Sequence, residues 1–190
     1  MPEEEVESKY ELLLDEFIEV MGTKLFRIRA KCSFGSVESG QKGGYIEAEE
    51  NLSQENGAWV FGDARVFGNA RVFGNAEVSG NAEVSGDARV SGDARVFGNA
   101  WVSGNAWVFG DARVFGDARV SKSSDILVIG PIGSRNAFLT IILPSGKATT
   151  GCFAGSLDEL EEAAKKDERQ DYLDLLPGIR AIVARRKGAA

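Results

Sequence analysis

The chain contains no histidine and only two cysteines among its 190 residues. A reaction that needs an imidazole base and a zinc site built from histidines are therefore both excluded. Cys32 and Cys152 lie far apart and lack the spacing of metal ligands, which predicts a pair of reduced thiols. Because no histidine can activate Cys152, a packing role is favoured over a nucleophilic one. We expect no catalytic residue, no metal site and no cofactor.

Long apolar runs and targeting signals are missing as well. No stretch approaches the roughly 20 apolar residues of a transmembrane helix, and no signal peptide or lipidation motif is found. The sequence therefore predicts a cytoplasmic protein without a membrane partner. The net charge of −7 comes largely from acidic residues among the first twenty, while the central region is nearly neutral. Nucleic acid is for that reason not an expected partner.

The chain is dominated by one six-residue phrase, Ala-x-Val-[Phe/Ser]-Gly-[Asn/Asp], which repeats from Ala58 to Val120. Eleven alanines each precede a valine by two positions. Since side chains alternate along a strand, alanine and valine share the inner face, and Gly-Asn or Gly-Asp forms a corner. A strand this short cannot bury its face alone, so successive units must coil and stack. The repeat therefore predicts a parallel β-helix.

An aliphatic residue followed four positions later by a small one, as in Val60 and Ala64, resembles the hexapeptide repeat of left-handed β-helix proteins. The resemblance implies a left-handed, three-sided coil of 18 residues, so that eleven hexads form about 3.7 coils. It also implies a trimer, because proteins of this family commonly associate in threes. The predicted fold class is mostly β: a left-handed parallel β-helix with an N-terminal helix and a small C-terminal α/β cap.

Segments outside the repeat extend this resemblance to nearly the whole chain. The chain is similar to a group of bacterial and phage-encoded hexapeptide-repeat proteins, some of which carry a transferase label. The acyltransferases with this repeat generally use a histidine base, and the carbonic anhydrases of this fold bind zinc through three histidines. Neither chemistry has its residues here. The segments that carry the resemblance are Leu25–Ala30, Gly43–Glu47, Glu50–Ser53, Ile132–Arg135 and Thr150–Gly155.

The repeat divides the chain into four regions. Residues 1–23 place apolar side chains at helical spacing between acids, with Gly22 as a stop signal, and predict an amphipathic helix. Residues 24–57 predict a strand and the N-terminal cap of the solenoid. Residues 58–121 form the repeat, and residues 122–190 predict the α/β cap. Within that cap, a capping box at Ser156–Glu159 opens a helix.

With an 18-residue coil, the outward residues fall into columns that carry large aromatic side chains. So much aromatic surface must be covered, either by a second copy of the chain or by its own flanking segments. We predict self-association, with a trimer favoured. The predicted interface residues are Trp59, Phe61, Phe97, Phe115, Phe73, Trp107 and Phe109. The same columns predict the ion pairs Glu77–Arg95 and Arg65–Glu83 and the cation–π contacts Arg119–Trp101 and Arg89–Trp107.

Two glycine-bearing turns in the C-terminal region are expected to meet. Residues 133–136 supply a hydroxyl, a guanidinium and an amide, and residues 151–155 precede a helix whose free N–H groups attract anions. The functional hypothesis is a pocket for an anionic, nucleotide-like small molecule. In the alternative, Arg135 forms an ion pair with a neighbour such as Asp125, and the glycines only turn corners. The predicted ligand-binding residues are Ser134, Arg135, Asn136, Thr150, Gly151 and Cys152.

These features predict a non-catalytic, self-associating solenoid that binds either an anionic small ligand or a partner protein. Because the resemblance includes phage proteins, one specific hypothesis is a viral protein that sequesters a host nucleotide signal and so acts against host defence. A second hypothesis is a structural protein of a filament or virion. A third, an acyltransferase that works through a carboxylate or a cysteine, is disfavoured because the chain has no histidine.

Overall fold

The structure, a computed structural model, describes residues 8–133 and 135–187. The strands are β1 (Tyr10–Val20), β2 (Thr23–Ala30), β3 (Lys42–Ile46), β4 (Trp59–Val60), β5 (Arg65–Val66), β6 (Arg71–Val72), β7 (Glu77–Val78), β8 (Glu83–Val84), β9 (Arg89–Val90), β10 (Arg95–Val96), β11 (Trp101–Asn105), β12 (Trp107–Val108), β13 (Arg113–Val114), β14 (Arg119–Lys122), β15 (Ile126–Ile132), β16 (Ala137–Ile142), β17 (Lys147–Thr150) and β18 (Phe153–Ser156). The helices are α1 (Leu157–Lys166) and α2 (Gln170–Lys187), with short 3-10 helices at Glu49–Asn51 and Ser123–Asp125.

Each repeat strand pairs in parallel with the strand 18 residues further along the chain. Val60 lies beside Val78, for example, and the same register recurs around the coil. The predicted 18-residue coil is therefore confirmed. The strands stack into three sides: a first side (β4-β7-β10-β13), a second side (β5-β8-β11-β14) and a third side (β6-β9-β12). Together they form a parallel β-solenoid of about four coils.

The solenoid core consists of the alanines and valines of the repeat. Every one of them between Ala58 and Val120 is at most 1% exposed, as the alternation of the repeat predicts. At the corners, the repeat glycines from Gly62 to Gly116 have φ between 58° and 77°, the left-handed region that favours glycine. The polar corner side chains stack from coil to coil. Asn69, for example, donates a hydrogen bond of 2.9 Å from Nδ2 to Oδ1 of Asp87.

The predicted N-terminal helix is wrong for the described residues, since the segment from Tyr10 to Val20 is a strand. It pairs antiparallel with β2 through a two-residue turn. Met21 and Gly22 both have positive φ in that turn, at 50° and 83°, which is the backbone of a type I′ hairpin. β2 pairs antiparallel with β3, and β3 pairs in parallel with β5. The hairpin therefore extends the second side into a sheet of order β1-β2-β3-β5-β8-β11-β14. The part of the predicted helix in residues 1–7 lies outside the described residues.

This N-terminal region also covers Trp59, which was predicted to lie in an oligomer interface. Trp59 is 0% exposed in the single chain. Tyr10 and Phe34 pack edge-on against its ring, with ring centroids 6.0 Å and 5.4 Å away. The prediction for Trp59 is therefore corrected, because the chain's own flanking segment buries this aromatic surface. Phe61, the next residue of the interface prediction, is half-buried and packs against the solenoid core.

The C-terminal region closes the other end of the solenoid. β15 to β18 form an antiparallel sheet in sequence order. One face of this sheet supplies Ile126, Val128 and Ile142 to the solenoid core. Its other face packs against α1 and α2 and forms a second core with residues such as Leu139 and Leu176. Neither α1 nor α2 has the length and apolar content that a membrane-spanning helix requires, and the same holds for every helical segment among the described residues.

Candidate functional site

The two C-terminal turns lie on one cavity. Arg135 after β15, Thr150 at the end of β17, and Gly151 and Cys152 in the turn that follows line a cavity of about 180 Å³. The structure thus brings together four of the six residues predicted to bind a ligand. Asn136 does not line the cavity; it sits in the turn beside it with φ of 48°. The remaining predicted residue, Ser134, lies outside the described residues.

Two lining residues of the cavity form a contact between the sheet and the second helix. Thr150 Oγ1 and Tyr172 OH lie 2.9 Å apart, and both side chains are buried. Because a hydroxyl can donate and accept, this hydrogen bond satisfies two polar groups that would otherwise be costly to bury. Gly133 allows the first turn to lie against the start of α2. A Cβ atom there would be 3.2 Å from Asp171 Oδ2, and its φ of 72° favours glycine.

The Gly151 turn is anchored to the last coil of the solenoid. Arg113 Nη1 donates a hydrogen bond of 2.6 Å to the carbonyl oxygen of Gly151. The backbone N–H of Arg113 also donates to Thr140 Oγ1 at 3.1 Å. One solenoid residue therefore joins β16 of the C-terminal sheet to the edge of the cavity.

The start of α1 is not available to an anion, contrary to one part of the pocket hypothesis. The predicted capping box is present: Glu159 N donates to Ser156 Oγ at 3.2 Å, and Ser156 N donates to Glu159 Oε2 at 2.7 Å. Hydrogen bonds to its carboxylate, first from the backbone N–H and then from the side chain of Ser156, lower the pKa of Glu159. The cavity instead meets the later turns of α1, along Leu160 and Ala164.

The charges at the cavity come from Arg135, Arg169 and Asp167. Arg135 is exposed and makes no ion pair within the described residues. The ion pair between Arg135 and Asp125, the example given for the alternative, is not formed, and Asp125 Oδ2 accepts hydrogen bonds from the backbone of Ser121 and Lys122 at 3.0 Å and 2.9 Å. Asp125 therefore stabilises the turn that contains Ser121 and Lys122. The guanidinium of Arg135 faces the cavity and solvent.

Sequence reasoning missed the part of the cavity that the two helices contribute. Tyr172, Leu160 and Arg169 line it together with Phe153. The positions of Leu160 and Tyr172 in their helices indicate only that α1 and α2 have buried faces, and they do not indicate which surface those faces cover. The turns could be predicted because glycine and its neighbours carry a local signal.

The outward columns of the repeat differ from one side to another. On the first side, Phe97 and Phe115 are half-buried and stack with centroids 5.8 Å apart. On the third side, Phe73, Trp107 and Phe109 are exposed. The three exposed residues are thus the part of the predicted interface that the single chain leaves uncovered.

Two of the four predicted contacts between coils are present. Glu77 and Arg95 form an ion pair at 3.4 Å, and the guanidinium of Arg119 lies 5.3 Å from the ring centroid of Trp101. The other two are wrong. Arg65 Nε and Glu83 Oε1 are buried without a hydrogen-bond partner, and burial raises the pKa of Glu83, against the effect of the nearby Arg65. Among the described residues no cation–π contact joins Arg89 to Trp107, whose Nε1 donates instead to Ser91 Oγ at 2.9 Å.

Comparison with known families supports the repeat architecture. Residues 64–80 and 88–104 match the family model described as YdcK Beta solenoid repeat. This match and the three stacked sides together support a repeat β-helix protein. A comparison with curated proteins finds no match.

Proposed function

We propose that this protein binds a small anionic ligand that carries a planar ring, of the nucleotide class, in the cavity beside Arg135. The observation that supports this most is the convergence of two separate turns. Arg135 from one turn and Gly151 and Cys152 from the other line the same cavity. A guanidinium without an ion pair in the described part of the chain is suited to a phosphate or carboxylate, because its fork donates two hydrogen bonds at once.

The rest of the lining suits an uncharged ring. Phe153, Leu160 and Ala164 give the cavity an apolar wall, while the hydroxyls of Thr150 and Tyr172 bond to each other. A mostly apolar cavity with a few placed polar groups is the usual form of a small-molecule site. The ring would pack against the apolar wall, and the anionic group would lie at the mouth near Arg135.

The size of the cavity narrows the class of ligand. Its volume of about 180 Å³ is below the roughly 300–1,000 Å³ of sites that enclose a drug-sized molecule. A mononucleotide or a cyclic nucleotide, with its phosphate partly in solvent, fits this volume better than a dinucleotide. Binding without conversion is part of the proposal, and the absence of histidine from the chain supports it.

Isothermal titration calorimetry with a panel of linear and cyclic nucleotides tests this proposal. We expect one or more members of the panel to bind, and Arg135→Ala to weaken that binding at least about tenfold. Arg186→Ala is the matched control, since Arg186 is exposed on α2 and does not line the cavity. No heat of binding across the panel, or equal binding by both variants, would overturn the proposal.

Three narrower statements belong to the same proposal. The hexapeptide spacing of Val60 and Ala64 resembles left-handed β-helix proteins, and we propose a left-handed coil on that ground. The resemblance favours a phage-encoded protein whose biological role is to sequester a host nucleotide signal. Location in the cytoplasm and assembly as a trimer stay predictions. An experimental electron-density map tests the handedness, and the mass of the protein in solution tests the assembly.

A further inference from the structure

A second concave surface lies on the third side of the solenoid, where β6 and β9 meet the segment that begins with the 3-10 helix Glu49–Asn51. Its volume is about 570 Å³, which falls within the roughly 300–1,000 Å³ that is usual for small-molecule sites. None of its lining residues lines the cavity beside Arg135. We call this surface the third-side groove, and its properties are independent of the proposed nucleotide site.

The third-side groove is lined by charges of both signs. Glu49 and Glu50 contribute two carboxylates, and Arg71 and Arg89 contribute two guanidiniums. All four residues are exposed, and none of them forms an ion pair within the described residues. The groove is therefore neutral as a whole, yet each of its charges is available to a charged group of a ligand.

The two arginines lie side by side. Arg71 and Arg89 are register partners on β6 and β9, so their backbones are one strand spacing apart, about 4.8 Å. Like charges at directly opposite positions of a sheet are unfavourable, and an anion between them relieves the repulsion. Because a guanidinium donates two hydrogen bonds at once to a carboxylate, this part of the groove is suited to a carboxylate group.

The two glutamates restrict which carboxylate compounds fit. An ammonium group has three donors and no acceptor, so it is the natural partner of Glu49 and Glu50. A ligand with negative charge alone would be repelled by these two residues, and a ligand with positive charge alone would be repelled by the arginines. The charges of the groove thus select a ligand that carries one charge of each sign.

The rest of the lining provides an apolar surface and an unused donor. Phe73 is 37% exposed, and the buried residues Leu52 and Val72 line the groove with it. Gln54 also lines the groove. Its Oε1 accepts a hydrogen bond of 2.8 Å from the backbone N–H of Lys9, whereas its Nε2 is buried without a hydrogen-bond partner in the described chain. A buried donor without a partner is costly, and an acceptor atom of a ligand would relieve that cost.

We propose that the third-side groove binds a small zwitterion with an apolar group, of the amino acid or short peptide class. The carboxylate lies between Arg71 and Arg89. The ammonium group lies at Glu49 and Glu50, and the apolar group packs against Phe73. Free amino acids and short peptides share this chemistry and differ in the distance between their two charges.

Isothermal titration calorimetry with three probes that share one phenyl ring tests the proposal. L-phenylalanine carries both charges, phenethylamine only the positive one, and 3-phenylpropionate only the negative one. We expect L-phenylalanine to bind, and each singly charged probe to bind at least about threefold more weakly. The dipeptide phenylalanylalanine has its charges further apart, so tighter binding of the dipeptide would assign the groove to short peptides. Failure of both zwitterions to bind, or equal binding of the three probes, would overturn the proposal.

Removal of the charges in pairs assigns the two parts of the groove. Both variants should bind L-phenylalanine more weakly than the wild type does. Glu49→Gln with Glu50→Gln should bind 3-phenylpropionate more tightly, because the repulsion of an anion is removed. Arg71→Gln with Arg89→Gln should bind phenethylamine more tightly for the opposite reason. Damage to the fold would weaken every probe, so these two gains identify the charges, and absence of both gains would contradict the assigned residues.

A control variant and a positional measurement complete the test. Arg185→Gln with Arg186→Gln is the matched control, since both arginines are exposed on α2 and do not line the groove. It should bind L-phenylalanine as the wild type does. In nuclear magnetic resonance spectra, L-phenylalanine should shift the backbone amide signals of residues 49–54. Shifts confined to residues 150–172, at the cavity beside Arg135, would place the ligand elsewhere and overturn the proposal while leaving the nucleotide site untouched.

Discussion

Arg113 in the last coil donates its 2.6 Å hydrogen bond to the carbonyl oxygen of Gly151, at the edge of the candidate ligand cavity. The donor belongs to the repeat and the acceptor to a turn that ends the third strand of the C-terminal sheet. The position of that turn therefore depends on the solenoid as well as on the sheet. Hydrogen bonds from charged donors are among the stronger ones in proteins.

Replacement of Arg113 should loosen this turn. We expect Arg113→Met to lower the free energy of unfolding by about 0.5–1.5 kcal/mol, the usual net contribution of a hydrogen bond, because this bond is exposed to solvent. Amide hydrogen exchange in residues 150–153 should become faster. Arg95→Met, one coil earlier in the same column, is the control, because its exposed ion pair with Glu77 contributes only about 0–1 kcal/mol. Unchanged exchange in the Arg113 variant would contradict the anchoring role.

The close stacking of corner glycines gives a second prediction. Gly92 and Gly110 have similar positive φ, at 70° and 63°. A Cβ on Gly92 would lie 2.9 Å from the backbone nitrogen of Gly110, whereas a Cβ on Gly110 would meet no atom within 4 Å. Both alanine substitutions should cost about 1–2 kcal/mol in backbone strain. Gly92→Ala should cost about 1–3 kcal/mol more, because the coils must move apart. Urea denaturation measures both, and equal losses would show that the coils are not stacked this closely.

The buried Lys9 makes stability depend on pH. Lys9 is 6% exposed, and its Nζ donates to the carbonyl oxygen of Ala58 at 2.9 Å. Burial lowers the pKa of Lys9 from 10.5 to about 8. Between these two values the unfolded chain binds more protons than the folded one, so the free energy of unfolding rises with pH. Burial also raises the pKa of Tyr10, which acts in the opposite direction above about pH 10.

The window for this test is therefore pH 7.5 to 9.5. Over that range we expect the free energy of unfolding of the wild type to rise by up to about 1.4 kcal/mol per pH unit. Lys9→Met should remove most of this rise, while Lys31→Met, at an exposed lysine, should retain it. Chemical denaturation at several pH values provides the measurement. Identical slopes in wild type and Lys9→Met would show that Lys9 does not titrate in this window.

The hydrogen bond between Thr150 and Tyr172 gives a fourth prediction. Tyr172→Phe leaves the buried hydroxyl of Thr150 without this partner and should cost about 1–3 kcal/mol. Adding Thr150→Val removes the second polar group as well, so the double variant should be more stable than the sum of the single losses indicates. Thermal unfolding of the four proteins completes the cycle. Strict additivity would mean that the two hydroxyls do not interact.

The solenoid could be predicted from the sequence because each hexad determines its own local structure. Alternation places Ala58 and Val60 inside and glycine sets the corner, while the coil of 18 residues is what the resemblance to hexapeptide-repeat proteins implies. None of these steps depends on a distant part of the chain.

The N-terminal hairpin could not be predicted in this way, because its pattern conceals a strand. A bulge between Leu13 and Phe17 shifts the alternation of β1, so that its apolar residues also fit a helical spacing. The turn uses Met21 and Gly22 in place of the usual Asn-Gly. Pairing with β2 and the burial of Trp59 then outweigh local preference.

The two turns of the candidate site could be predicted from the sequence, whereas the wall that the helices form could not. The glycines of its two turns, Gly133 and Gly151, carry a local signal, and both have positive φ. The wall formed by Leu160 and Tyr172 depends on how α1 and α2 fold back over the sheet. That arrangement is set by the packing of the second core rather than by any short segment.

The constant register of the coils has a consequence for how this protein can vary. Duplication or deletion of one unit of 18 residues, such as residues 64–81, would change the length of the solenoid by one strand spacing, about 4.8 Å. Every inward side chain would keep equivalent neighbours. The hairpin would still pack on one end of the solenoid, and the four-stranded sheet would still pack on the other end. Genetic recombination can therefore alter the separation between the two ends in fixed increments, without redesign of either.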